Sequence, residues 1–313
     1  MQASINGWND GTRRSRSSNF NCDVIGERFR VRNKRKTTIS LGLLIPGMVC
    51  LFIFGASLAS IGIMSLRPSR LADTGYSIHQ YLRFFSDTYH LMYLWRSFKV
   101  SIYGTLLTFL FGYPVAYLMA RSGARLRLML TLLLVVQFFS SYIIRAYALM
   151  IVLGNNGIIN RVLIKMGLIH SPLPLMHNET GVAIGLVMVS LPFMVFPIYS
   201  VVKGIDPRLE EAAESLGAGE WLVFWNVTLP LSLPGVAAGV IIVLLFQLTS
   251  FIVPGLLGGG YFDMVANFIY DQALGVLNIP FAAAVAMVTL VIALGLVVVL
   301  NKLFQRNLKD VSP

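Results

Sequence analysis

The chain has 313 residues, of which 56% are hydrophobic and only 12% are charged, and its net charge is +11. Ordinary soluble domains carry about 25% charged residues, so this composition excludes a soluble globular protein and indicates an integral membrane protein. A run of about 20 apolar residues is long enough to cross the hydrocarbon core of a bilayer, and the sequence contains several such runs.

The N-terminal segment, residues 1–38, is polar and basic. It carries more than half of the excess positive charge and few apolar residues, which predicts a disordered cytoplasmic tail. Positive charge on the cytoplasmic side, in contact with anionic membrane lipid, explains this composition without nucleic acid as a partner. The apolar run that follows begins late and exceeds the length of a signal-peptide core, so we expect an uncleaved first membrane helix.

Six membrane helices are predicted in the remaining residues, 39–313, which gives an all-α integral membrane protein. The uncharged runs place the helices at about residues 41–66, 98–120, 128–153, 182–203, 236–257 and 281–304. Lysine and arginine are enriched in the tail, after the second helix, around the loop after the fourth and at the C-terminus. Because six crossings put these four regions on one side, the positive-inside rule predicts that both termini are cytoplasmic.

Two polar residues within predicted membrane helices are candidates for a substrate path, Tyr142 in the third helix and Gln247 in the fifth. The alternative for both is hydrogen bonding between helices. The third helix also holds Arg145. An ionisable residue in a membrane helix is a functional candidate by default, but Arg145 lies near the external end of its helix, which favours an ion pair or a side chain that reaches the interface.

Residues 205–230, after the fourth predicted membrane helix, form a polar loop with helical periodicity. Asp206 is a good N-cap and Pro207 suits the first helical position, which predicts a short helix over residues 208–216. Gly217 is expected to end this helix, because glycine readily adopts the left-handed conformation found at helix C-termini.

A second short helix is predicted over residues 219–228, and Pro230 and Pro234 are expected to break it before the next membrane helix. The first helix carries three glutamates beside a small apolar face. That face consists of Leu209, Ala212, Ala213 and Leu216. These features predict a helix-turn-helix knob at the membrane surface. The alternative is an amphipathic loop that lies on lipid headgroups, which three glutamates suit poorly because the lipid surface is anionic.

Two carboxylates and two tyrosines lie between the fifth and sixth predicted membrane helices. They are Asp263, Asp271, Tyr261 and Tyr270. Carboxylates beside aromatic faces suit an organic cation through ion pairing and cation–π contact, so these residues are further candidates for the substrate path. The alternative is a solvated external loop with no contact to cargo.

Motifs of several other functional classes do not occur in the sequence. There is no Gly-x-x-x-x-Gly-Lys-Ser/Thr phosphate loop, the two cysteines give no disulfide framework, and the four histidines form no ligand-spaced pair. We therefore expect that this chain is not an enzyme, and that it has no catalytic residue, no metal site and no cofactor of its own.

The polar loop also carries a spaced pattern of Glu211-Ala212-Ala213, Gly217 and Val227-x-Leu229-Pro230. This pattern resembles the EAA loop of the membrane subunits of ABC importers, which reads EAA, three residues, Gly, nine residues and Ile-x-Leu-Pro. Only the isoleucine is replaced, by valine. Further segments resemble the spermidine/putrescine permease family, a branch of the type I importers, at residues 77–85, 112–121, 140–160, 191–199 and 250–259.

The resemblance implies a six-helix permease whose cytoplasmic EAA loop docks on a separate ATPase subunit and passes ATP-driven motion to the membrane helices. The coupling residues it implies are Glu210, Glu211, Ala212, Ala213, Gly217, Leu229 and Pro230. It also implies a homologous second permease, two ATPase subunits that carry ATP and Mg²⁺, and a periplasmic substrate-binding protein, in a bacterial inner membrane.

The implied cargo is a small polar solute, with a polyamine first and an opine, an aminophosphonate or a related amine as alternatives. From the residues alone two other classes stay open. An ion-coupled secondary transporter would leave the EAA loop unexplained, and a membrane-bound enzyme would need a clustered polar site in the spans. The resemblance also implies helix breaks near the pore at four prolines, for which ordinary kinks are the alternative. These prolines are Pro114, Pro192, Pro197 and Pro254.

Overall fold

The computed structural model describes residues 41–68 and 75–309, with side chains described for residues 45–68 and 75–306. The predicted tail, residues 1–38, lies outside the described residues. By its contacts the chain divides into a unit of residues 1–58 and a unit of residues 59–313. The described part of the first unit is one stretch of apolar helix, and the second unit contains the elements that position the candidate sites.

The described residues form thirteen α-helices. They are α1 (Leu41–Ser65), α2 (His79–Ser86), α3 (Thr88–Arg121), α4 (Ala124–Phe139), α5 (Tyr142–Leu153), α6 (Ile158–Lys165), α7 (Glu179–Gly204), α8 (Pro207–Ser215), α9 (Glu220–Val223), α10 (Leu229–Leu248), α11 (Ile252–Leu257), α12 (Val265–Tyr270) and α13 (Ile279–Lys309). Two π-helical turns, Phe224–Thr228 and Asp271–Gly275, directly follow α9 and α12.

Six helical stretches in the described residues are long and apolar enough to cross a membrane. They are Ile45–Ser65, Thr88–Arg121, Tyr142–Lys165, Glu179–Gly204, Glu220–Leu248 and Ile279–Arg306. The predicted fold class, all-α with six transmembrane helices, is confirmed. The bounds of the individual helices differ from the sequence prediction in ways that have identifiable physical causes.

Helices α3, α7 and α10 form the centre of the second unit, and α7 is the most buried of the six candidate spans. Two glycines of α10 let it approach α7 closely. A Cβ added to Gly239 would lie 2.8 Å from the Met194 sulfur, and one added to Gly235 would lie 2.8 Å from the Pro197 carbonyl oxygen. Small residues allow such close packing between membrane helices, so these positions fix how α7 and α10 cross.

The stretch predicted as the third membrane helix, residues 128–153, is divided into α4 and α5. Ser140 and Ser141 between them leave the helical region, with ψ values of 138° and 132°. Serine side chains compete with the helical backbone for hydrogen bonds, and apolar residues on both sides hide this break from a reading of hydropathy. The stretch long enough to span a membrane here is Tyr142–Lys165, which consists of α5, a turn at residues 154–157 and α6.

The prediction that Pro230 and Pro234 break a short helix before the fifth membrane helix is wrong. Helical structure continues from Glu220 to Leu248 through the π turn Phe224–Thr228. The backbone N–H of Leu229 donates to a carbonyl five residues back. Pro230 comes directly after this π turn, where the backbone hydrogen bonds already depart from the α-helical pattern. The absence of its N–H therefore disturbs the helix less.

Three of the four prolines expected to break helices do not do so. Pro114 lies inside the continuous helix α3, and Pro192 and Pro197 lie inside α7. Neighbouring helices stabilise these helices although each proline removes a backbone hydrogen bond. Near Pro254 the chain does break, because the predicted helix 236–257 ends at residue 248 and α11 starts separately. Pro254 lies in the first turn of α11, where backbone N–H groups have no helical partner.

Candidate functional site

The polar loop after α7 begins with the short helix that the sequence predicted. The Asp206 side chain accepts a hydrogen bond at 3.0 Å from the N–H two residues on, and Pro207 opens α8. Gly217 follows with φ of +89°. Its N–H donates to the Glu214 carbonyl at 2.8 Å, and the next N–H donates to the Ala213 carbonyl at 3.1 Å. These two bonds form a Schellman motif, so both predicted helix ends are confirmed.

One side of α8 is an exposed surface that mixes charge and apolar residues. Glu211 and Ala212 are exposed, as is Leu209, and Leu216 at the end of the helix is 90% exposed. The apolar face expected from the spacing therefore faces away from the chain's own core. Trp221 in α9 adds an exposed aromatic ring, which the sequence prediction missed although a large aromatic in a polar loop is a visible signal. Such a mixed surface suits contact with another protein.

Glu210 differs from its neighbours on α8 because it faces into the chain. Its side chain is 15% exposed, and Oε1 lies 2.7 Å from Nη2 of Arg121 at the end of α3, whose side chain is 20% exposed. The Thr228 hydroxyl donates to the same Oε1 atom at 2.7 Å. Arg121 also donates through Nη1 to the Ile205 carbonyl at 3.4 Å. This Glu210 junction (Glu210, Arg121 and Thr228) joins α8, α3 and the π turn before α10.

Two tyrosines extend the same face of α3 beside the junction. Tyr113 and Tyr117 precede Arg121 at four-residue spacing, which places all three on one side of the helix. Both rings pack edge to face with the Phe224 ring, with centroids 5.6 and 6.0 Å from its centroid. The Tyr113 hydroxyl is 3.0 Å from that of Ser232 in α10. The sequence prediction gave this segment no role in coupling, although the four-residue spacing was available as a signal.

The remaining predicted coupling residues are half-buried and pack within the chain itself. Ala213 is half-buried on α8, and Leu229 and Pro230 are half-buried in the first turn of α10. Leu229 packs against the buried cluster that includes Met194 and Val243. These residues connect the polar loop to the helix core, while their neighbours form the exposed surface of the loop.

The two predicted carboxylates, Asp263 and Asp271, interact electrostatically at the opposite end of the second unit. Asp263 is half-buried and Asp271 is exposed. Burial raises the pKa of Asp263 above its usual value, the charge of Asp271 raises it further, and Arg96 of α3 lowers it. We call Asp263 and Asp271 the acidic end. Among the described residues, no group of three or more His, Cys, Asp or Glu could hold a metal ion.

The two tyrosines predicted beside these carboxylates are both exposed. The Tyr270 ring packs on Phe251, with centroids 4.8 Å apart, which gives a pair of aromatic faces next to Asp271 in the chain. The Tyr261 ring instead meets His177, with centroids 6.2 Å apart. Of the two predicted tyrosines, Tyr270 therefore belongs to an aromatic pair with Phe251. Tyr261 instead packs against His177, which lies in a different part of the chain.

Gln247 and Tyr142, predicted for the substrate path, make hydrogen bonds between helices. Gln247 is fully buried, and its Nε2 donates to the hydroxyls of Ser190 at 2.8 Å and Thr108 at 3.2 Å, which joins α10 to α7 and α3. The Tyr142 hydroxyl is 3.0 Å from that of Ser250. Both arrangements are the interhelical bonding weighed as the alternative.

Residues 109–309 match the sequence family described as "Binding-protein-dependent transport system inner membrane component". The chain belongs to this family. It is therefore a membrane-spanning permease subunit of an ABC importer, and the secondary transporter and the membrane-bound enzyme no longer apply. The family match covers the end of α3, α8 and the π turn Phe224–Thr228, so it includes the whole Glu210 junction.

Similar proteins include the spermidine/putrescine transport system permease protein PotB of Haemophilus influenzae. The two are 38% identical over 236 residues, which cover 74% of this chain and 82% of that protein. The protein of the same name from Escherichia coli K12 is 35% identical over 254 residues, with 80% and 92% covered. The predicted resemblance to the spermidine/putrescine permease family is confirmed.

The fold is also similar to solved ABC transporters. A bacterial transporter involved in the import of the acidic polysaccharide alginate superposes with a TM-score of 0.67 at 21% identity, covering 89% of this chain and 99% of that chain. A chain of the methionine transporter MetNI gives a TM-score of 0.52 at 20% identity, with 71% and 96% covered. At these identities the likeness shows a shared fold, that of the type I importer permeases.

Proposed function

We propose that this permease imports a polyamine of the spermidine or putrescine kind across a bacterial inner membrane. The observation that carries the proposal is the acidic end, where Asp271 lies close enough to affect the ionisation of Asp263. A polyamine carries at least two positive charges, which two neighbouring carboxylates can match, and the Tyr270–Phe251 pair adds aromatic faces for cation–π contact. The names of the two PotB relatives support the same cargo.

An uptake assay tests this cargo. Cells that lack their own polyamine importers, and that produce this permease with its partner subunits, should accumulate labelled spermidine or putrescine. Unlabelled polyamine should compete with the label, and an opine or an aminophosphonate should not. Uptake of an opine or aminophosphonate without uptake of any polyamine would replace the proposal with the alternative cargo class.

The exposed surface of α8 is the proposed docking site for an ATPase subunit, which would bind ATP and Mg²⁺. The exposure of Glu211, Leu216 and Trp221 supports this role. A homologous second permease and two copies of the ATPase complete the proposed assembly. A periplasmic binding protein is its proposed source of cargo, which is supported by the similar alginate transporter solved in complex with a "periplasmic protein" that binds alginate.

The proposed orientation puts both termini and the polar loop in the cytoplasm. It is supported by basic residues that flank the loop and follow α3, namely Lys203, Arg208, Arg125 and Arg127. Single-cysteine variants at the exposed positions Glu220 and Tyr261, in a chain without its native cysteines, provide the test. A reagent that does not cross membranes should label position 261 on intact spheroplasts and miss position 220. Labelling of position 220 would reverse the orientation.

A further inference from the structure

We propose that Glu210 is a positioning residue that passes the motion of α8 to α3, and that it does not contact the ATPase. The proposal rests on the docking of α8 proposed above. The sequence pattern groups Glu210 with Glu211, but the two face different surroundings. Glu211 is exposed, whereas the carboxylate of Glu210 is directed at Arg121 and Thr228.

The connectivity of the chain explains why such a contact is needed. Helix α8 is joined to α7 and to α9–α10 by short turns of one continuous chain. Helix α3 comes much earlier, and its Arg121 is 89 residues from Glu210. A movement of α8 therefore reaches α7 and α10 through covalent bonds, but it reaches α3 only through side-chain contacts.

The geometry of the Glu210 junction suits this task. One carboxylate oxygen accepts hydrogen bonds from the Arg121 guanidinium and from the Thr228 hydroxyl, each at 2.7 Å. Charge-assisted hydrogen bonds of this kind are short and about twice as strong as neutral ones. Because both donors share one atom, α8 cannot shift relative to α3 or to the π turn without losing one of the two bonds.

The tyrosines of α3 make the connection broader than one ion pair. Tyr113 and Tyr117 hold the Phe224 ring edge to face, a geometry that stabilises aromatic pairs beyond their burial. Phe224 opens the π turn that ends at Thr228. The three α3 residues thus contact the loop on both sides of α9, so a displacement of the loop is expected to carry this end of α3 with it.

Helix α3 extends from this junction to the acidic end. It is a single helix of 34 residues, about 51 Å long at 1.5 Å per residue. Near its other end the buried Ser97 hydroxyl accepts a hydrogen bond at 2.7 Å from the Val265 N–H, and Arg96 affects the ionisation of Asp263. The described structure therefore contains an unbroken helix that contacts both the docking loop and the proposed cargo site.

The test compares two neighbouring glutamates in the assembled transporter. Glu210→Gln keeps an acceptor oxygen for Thr228 and removes the charge that pairs with Arg121. It should retain the co-purified ATPase, while ATP hydrolysed per polyamine imported rises about fivefold or more, at the lower edge of typical coupling between sites. Glu211→Gln is the matched control, and it should lower the amount of ATPase that co-purifies without changing the ratio of ATP to cargo.

The ratio of ATP to cargo separates transmission from folding, because fewer folded copies lower both quantities together. A charge exchange, Glu210→Arg with Arg121→Glu, provides the second variant and should return the ratio toward the wild-type value. An unchanged ratio in Glu210→Gln would overturn the proposal, as would a loss of ATPase equal to that of Glu211→Gln. If no ATPase co-purifies with the wild type, the proposed docking fails first, and the proposal falls with it.

Discussion

Helix α3 is held at two places by ion pairs of nearly equal length in different surroundings. At the Glu210 junction, Arg121 and Glu210 lie 2.7 Å apart with side chains 20% and 15% exposed. In the N-terminal half of α3, Lys99 and Glu179 lie 2.8 Å apart with side chains 52% and 32% exposed. Solvent screens the second pair more strongly. The comparison teaches that distance alone does not rank these contacts, because burial sets how much each one contributes.

The chemistry of the two cations adds to this difference. Arginine presents several donors in a rigid plane, and Arg121 uses them on both Glu210 and the Ile205 carbonyl. Lysine presents a compact charge on a flexible stem, and Lys99 donates to the Glu179 carboxylate alone among the contacts described. The Glu210 junction is thus held in one geometry, whereas the contact of Lys99, nearer the proposed cargo site, can adjust.

The largest expected effect comes from removing one cation at a time. Arg121→Met leaves the partly buried Glu210 without its countercharge and its strongest hydrogen-bond donor, and it should lower the free energy of unfolding by about 2 kcal/mol. Lys99→Met is the matched variant at the exposed pair, and its loss should be below about 1 kcal/mol. Thermal unfolding of both variants in detergent measures the difference. Equal losses would contradict the ranking by burial.

A second, smaller effect is expected at the turn that ends α8. Gly217→Val places a β-branched residue at φ of +89°, which should destabilise the loop by about 1–2 kcal/mol because L residues disfavour that region. Gly204→Val is the matched control, since a Cβ meets no atom within 4 Å at either position and Gly204 lies in α7, outside the left-handed region. Uptake and co-purified ATPase should fall only in Gly217→Val. A similar loss in both variants would show that backbone strain at Gly217 is not the cause.

Local signals in the sequence predicted the ends of α8 well. Asp206, Pro207 and Gly217 act on backbone groups within a few residues, so their effects do not depend on the rest of the fold. The π turn at Phe224–Thr228 and the break at Ser140 were missed. Both interrupt stretches whose composition is helical and apolar on either side, and composition does not report the hydrogen-bond register.

The candidate sites were predicted only in part, for a related reason. The direction in which Glu210 faces depends on Arg121, which lies far away in the chain, and a loop motif carries no information about that partner. Gln247 was selected because it is polar in an apolar helix, but its burial against Ser190 and Thr108 depends on how three helices cross. Residue type thus selected the candidate side chains, and tertiary packing decided what they contact.

The carboxylates of the acidic end test the more adjustable of the two regions, the one near the proposed cargo site. Asp263→Asn with Asp271→Asn removes both charges while keeping side-chain volume. We expect uptake of a polyamine at limiting concentration to fall about threefold, which matches the modest contribution of exposed ion pairs. The ATPase should co-purify as with the wild type. Wild-type uptake by the double variant would make these aspartates solvated loop residues and would favour a neutral or anionic cargo.

The smallest expected effect is a change in how stability depends on pH. Burial first, and then the charge of Asp271, raise the pKa of Asp263, while Arg96 opposes the rise. Because the folded-state pKa lies above the unfolded one, ionisation of Asp263 disfavours the fold. Its contribution to stability is therefore present at pH values below the unfolded pKa, and it is lost as the pH rises through the folded-state pKa.

The Asp263→Asn variant has no carboxyl group to ionise at this position. It should therefore keep, at neutral pH, the stability that the wild type loses as the pH rises from acid to neutral. Tyr93, Arg96 and Asp271 also act electrostatically at this site, so the measured quantity is the difference between wild type and variant across pH. Asp271→Asn removes one cause of the raised pKa and should move the wild-type transition to lower pH without abolishing it. Parallel stability profiles for wild type and Asp263→Asn from acid to neutral pH would show that Asp263 ionises freely, and the acidic end would then lose its distinction from ordinary solvated carboxylates.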